Sequence, residues 1–110
     1  MNDYYNEEIE QKILMMVSNA GAAKSKAFDA LDAYESDKVE EAYSHLEEAS
    51  RLLSIAHENQ FSLMSNELES NKSLISIILV HAMDICMLAE NSIQYTKKLI
   101  SVLETQKKGK

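Results

Sequence analysis

Leu74-Ile75-Ser76-Ile77-Ile78-Leu79-Val80-His81-Ala82-Met83-Asp84-Ile85-Cys86-Met87-Leu88-Ala89 is the most apolar run of this chain, with only Ser76, His81 and Asp84 as polar members. A helix apolar nearly all round belongs in an interior. An imidazole and a carboxylate placed one turn apart inside such a helix each need a reason to be there, because burying an unpaired polar group is costly.

Working outward, the rest of the chain is equally helical in composition. In 110 residues there is no Pro and Gly occurs only at positions 21 and 109, so the punctuation of strands and turns is missing. The expectation is a single all-α domain with one modest core. The formal charge of −7 repels phosphodiester backbones and argues against nucleic acid as a partner. Cys86 is the sole cysteine, which rules out an intramolecular disulfide and suits a reducing, cytoplasmic setting. Met1-Asn2-Asp3-Tyr4-Tyr5 has neither a basic nor an apolar stretch of the export type. The Leu74–Ala89 run is short for a membrane span and carries His81 and Asp84 near its middle, so insertion into a membrane is not expected.

Three helices are predicted, over about 4–34, 38–66 and 72–106. The first carries Ile9, Ile13, Met16, Ala20, Ala23, Ala27, Ala30 and Tyr34 at alternating intervals of four and three, a heptad seam lined by alanine. Gly21 inside it costs roughly 1 kcal/mol relative to Ala and points to close packing or a bend there. Glu35-Ser36-Asp37 breaks the pattern, and Asp37 with Glu40 resembles a capping box for the next helix. The second seam reads Val39, Ala42, Leu46, Ala49, Leu53, Ala56, Gln60 and Leu63, and the short link implies an antiparallel hairpin. Residues 65–73 read as a second loop, with Ser70 or Asn71 as the cap. The third helix is expected to pack through Leu74, Ile78, His81, Ile85, Leu88, Ser92, Tyr95, Leu99 and Val102. Lys107, Lys108 and Lys110 suit its C-terminus. The molecule should be an elongated bundle, since helices of this length span about 45 Å.

That third helix carries one stripe too many. Ile77, Val80, Asp84, Met87 and Asn91 form a second, largely apolar row. Left exposed, it would be a large apolar patch, so a homo-oligomer built around this helix is predicted, with Asp84 near its axis.

The chemistry is expected at the same turn. His81 is either a hydrogen-bonded core residue or a nucleophile whose neutral imidazole forms a covalent intermediate, such as a phosphorylated nitrogen. Converging copies of Asp84 would repel one another. A shared proton or a hard, oxygen-loving cation such as Mg²⁺ would relieve that, and a lysine or backbone partner is the alternative. His57 and Gln60, an i, i+3 pair, either line a polar pocket against His81 or bond across the bundle. His45 is expected in solvent, and Cys86 with the methionines to fill gaps in the core or an interface.

Asn19-Ala20-Gly21, Glu35-Ser36-Asp37 leading into Glu40-Glu41-Ala42, Ala56-His57 with Gln60, and Leu79-Val80-His81-Ala82-Met83-Asp84 with Met87 occur in that order. Together they resemble the lactose/cellobiose (chitobiose)-type enzyme IIA of the bacterial sugar phosphotransferase system, over nearly the whole chain. The resemblance implies a three-helix bundle assembled as a homotrimer. It implies that His81 is the phosphorylated residue, accepting a phosphoryl group from HPr and passing it to a cysteine of enzyme IIB, and so serving the membrane enzyme IIC. It also implies that Asp84 points at the trimer axis, where a divalent cation can sit; no organic cofactor is implied. The family motif reads His-Ala-Gln-Asp-His, whereas Met83 and Ile85 stand here for the glutamine and the second histidine. A phosphoryl group needs donors, so the departures leave open a regulatory or non-catalytic adaptor that keeps the fold.

Overall fold

The computed structural model describes residues 7–70 and 77–109, with side chains over 7–65 and 77–109. It contains α1 (Glu7–Glu35), α2 (Val39–Ser70) and α3 (Ile77–Lys108), with no strand among the described residues. The expected start of the first helix before residue 7, the cap at Asn71 and the seam position Leu74 lie outside the described residues. The molecule is a long bundle, 64 × 19 × 19 Å.

The seams of α1 and α2 follow the heptads, with Ile9, Val39, Leu53 and Gln60 only half-buried on them and Ala33 buried off the expected row. Ile13, Met16, Ala20, Ala23, Ala27, Ala30 and Tyr34 of α1 are buried, as are Ala42, Leu46, Ala49, Ala56 and Leu63 of α2. The alanines let the two axes approach closely, and α1 and α2 form the most extensive helix pair; α2 and α3 touch least.

The seam of α3 differs from the expected one. Its buried row is Leu79, Ala82, Cys86, Ala89, Ile93, Thr96 and Ile100. Ile78, His81, Leu88, Tyr95, Leu99 and Val102 are exposed, and Ile85 and Ser92 half-buried. The expected row is rotated from the core direction by about 110°, at 100° per residue. Both rows keep a strict three-four spacing, so periodicity alone did not choose between them. The small side chains of Ala82, Cys86 and Ala89 won because they fit against the alanine seam of α1, leaving bulkier side chains outside.

Two contacts fix the register of the parallel pair α1–α3. Cys86 Sγ meets the carbonyl of Met16 at 4.0 Å, and Tyr34 donates its hydroxyl hydrogen to Glu104 Oε1 at 2.5 Å; both join residues 70 apart. A residue of α1 therefore lies level with the α3 residue numbered 70 higher.

The turn between α1 and α2 also departs from expectation. Asp37 has φ 63°, and Lys38 N–H donates to the carbonyl of Ala33 while Asp37 N–H donates to that of Tyr34. This is a Schellman ending of α1 with Asp37 as its left-handed residue. The first α2 bond runs from Ala42 N–H to the carbonyl of Lys38, so Lys38 occupies the cap position expected for Asp37. The second break begins later than predicted: 65–70 continue α2, since Leu68 and the flanking glutamates favour helix and no Gly or Pro interrupts them.

Gly21 lies inside unbroken α1, exposed, with nothing within 4 Å of where a Cβ would sit. Close packing within the chain is therefore not its reason. By length and composition alone α3 could cross a membrane: an 18-residue window of it has a mean hydropathy of 1.2, with 28% of that window buried. Its outward rows on top of a packed core row account for this.

Candidate functional site

His81 stands on the α1 side of α3 with its side chain outward, level with Gln11 of α1. Ile78, Ile85 and Leu88 share its strip of the helix, so the imidazole sits in an apolar surface rather than a buried seam. Ile85 and Met83 both pack against the core cluster that contains Cys86 and Leu79. Ile85 stands beside His81, whereas Met83, about 200° around the helix from it, lies on the opposite flank of α3; neither offers a donor. Lys12, one residue beyond Gln11, is committed elsewhere: its ammonium donates to Ser62 Oγ at 2.7 Å and lies 3.3 Å from Glu8, on the α2 side of α1.

Asp84 is exposed on the back of α3, opposite the core row. Ile77, Val80, Met87 and Asn91 are exposed beside it, as expected for the second stripe. The His81 and Asp84 side chains thus leave the helix on adjacent rows, about 60° apart.

His57 does not join His81 within the chain. Its Nε2 lies 3.9 Å from Glu90 Oε2, across the α2–α3 face, with 44% and 42% of the two side chains exposed. Glu90 is about 13.5 Å further along α3 than His81 and on its other flank. Gln60 sits half-buried on the core-facing row of α2. His45, expected in solvent, is half-buried with Nε2 3.8 Å from Glu41. Cys86 is fully packed, and burial pushes its thiol pKa up, so it fills the core as expected.

No group of three or more His, Cys, Asp or Glu converges within the described residues of the chain. A hard cation needs several oxygens, and Asp84 supplies them only if several copies meet.

The fold and the site define an elongated α-helical bundle that presents a histidine in an apolar strip and a carboxylate on the back of the same helix. Residues 11–104 match the family described as PTS system, Lactose/Cellobiose specific IIA subunit, and the chain belongs to that family. It is 34% identical over 106 residues to the lichenan-specific phosphotransferase enzyme IIA component of Bacillus subtilis, covering 94% of this chain and 96% of that one. The lactose-specific EIIA component of Lacticaseibacillus casei is 31% identical, over 89% and 88% of the two chains. The crystal structure of the PTS cellobiose-specific enzyme IIA from Bacillus anthracis superposes with a TM-score of 0.84 at 26% identity, covering 96% and 97%.

Proposed function

We propose that this protein is a phosphocarrier for uptake of a β-linked di- or oligosaccharide, with His81 as the residue phosphorylated. The observation that supports this most is the exposed imidazole of His81 in an apolar strip, on a chain whose relatives are sugar-specific IIA components. A neutral imidazole nitrogen attacks the phosphorus of a phosphohistidine on HPr; the N–P bond to HPr breaks as the bond to His81 forms. A thiolate of enzyme IIB then takes the phosphoryl group, and His81 leaves as neutral imidazole after protonation. The apolar side chains beside His81 exclude water from the labile N–P bond. The reading places the protein in the cytoplasm, serving a membrane IIC.

The same reading assembles the protein as a homotrimer around α3. Ile77, Ile78, Val80, Met87, Leu88, Tyr95, Leu99 and Val102 are all exposed. At roughly 100 Å² apiece they present about 800 Å², more than the largest patch of an ordinary monomer and close to one face of a standard interface. Asp84 then approaches its copies at the axis, where Mg²⁺ would supply charge neutralisation if three carboxylates hold it.

Incubation with phosphoenolpyruvate, enzyme I and HPr tests the carrier reading. Acid-labile phosphate should appear on the wild type and vanish in His81→Ala; an unlabelled wild type sinks it. The packing of Met83 and Ile85 into the core favours a second reading, an adaptor of the same fold that does not turn over phosphate. A normal oligomer that accepts no label from HPr supports that one.

A further inference from the structure

Two features have no part in phosphotransfer at His81. Phe28 is 56% exposed on α1, and a groove of about 910 Å³ runs between α2 and α3, lined by Tyr43, Leu46 and Ser50 on one side and Lys97, Ser101 and Glu104 on the other. Phe28 shares a row of α1 with Leu14 and Gly21, and this row borders α3: Leu31 beside it lines the α1–α3 cleft with Leu99 and Leu103. Each protomer thus carries a protruding flank on the α1 side of α3 and a recessed flank on the α2 side. By the 70-residue register Phe28 is level with Lys98, within the 97–108 span of the groove.

In a closed ring with the back of α3 toward the axis, every protomer meets its two neighbours through different flanks, and rotation about the axis preserves height. The roughly 800 Å² on α3 is divided between two neighbours, so each contact receives about half of what one side of a standard interface buries. The flanks must supply the remainder.

We infer that the α1 flank of one protomer docks against the α2–α3 groove of the next, with Phe28 filling the groove beside Tyr43 and Leu46. The occupant is a second copy of this chain, and the inference rests on the oligomeric part of the proposed function.

Cross-linking tests the pairing. Ser25 is exposed one turn before Phe28, and Ser50 lines the groove. A Ser25→Cys/Ser50→Cys chain treated with a short bismaleimide should give covalent dimers and trimers on a denaturing gel, while each single variant gives monomer, buried Cys86 being present in all. Phe28→Glu should raise the dissociation constant of the oligomer tenfold or more with helix content unchanged, since burial of an aromatic side chain is worth about that much. An oligomer on sizing that yields no ladder from the double variant, or a Phe28→Glu chain that assembles with wild-type affinity, overturns the pairing and leaves the ring around α3 standing. A wild type that sizes as a monomer removes both.

Discussion

Tyr34 is buried near the end of α1, and its hydrogen bond to Glu104, reinforced by burial, pushes its phenol pKa up to about 12. The folded value lies above the ordinary value near 10. Stability from this bond is therefore fully present below pH 10 and lost as pH rises through 12. Unfolding followed by circular dichroism should show a steeper alkaline loss for wild type than for Tyr34→Phe. Gly21 gives a second single-residue expectation. With open space around its missing Cβ, Gly21→Ala should stabilise the helix by about 1 kcal/mol, read from denaturant unfolding. His81 and Asp84 could be singled out from sequence because they interrupt an apolar run, and their separation onto different rows follows from 100° per residue. Their surroundings could not be read there. His57 shows why: its partner Glu90 lies 33 residues away, across a groove whose existence depends on how far apart α2 and α3 settle.

At the scale of elements, the alanine-lined seams of α1 and α2 were readable because only one row on each helix is apolar. The third helix offered several, and spacing does not rank rows of equal period. What ranks them is volume: the row with Ala82, Cys86 and Ala89 fits against Ala20, and a row with Leu88 and Tyr95 does not. The turn teaches the same lesson on a smaller scale. Asp37 was legible as a break, yet its role as a left-handed helix end depends on the carbonyls of Ala33 and Tyr34 being within reach. Because a non-glycine residue strains there, Asp37→Gly should stabilise the hairpin by about 0.5–1 kcal/mol. The exposed pair of Asp37 with Lys107 at 3.7 Å is worth too little to reverse the sign. A rise in melting temperature of a few degrees checks this.

For the molecule as a whole, the proposed ring predicts that melting temperature rises with protein concentration, since association stabilises the folded chain by mass action. Asp84→Leu should leave the oligomer intact or tighten it, because like charges near an axis repel; dissociation of that variant on sizing would mean that a metal bridge holds the subunits. The sequence by itself determined the all-α class, the helical hairpin of α1 and α2, the family, and an α3 too apolar for one packing face. The class, the hairpin and the apolar excess follow from composition and period, which are local and need no partner; the family follows from motifs matched in order along the chain. The tertiary structure alone decided which face of α3 turns inward, that His81 is exposed beside Ile85, and that His57 belongs to Glu90. Those outcomes depend on the volume left between helices distant in sequence, and close packing of small side chains settles that only once the helices are assembled.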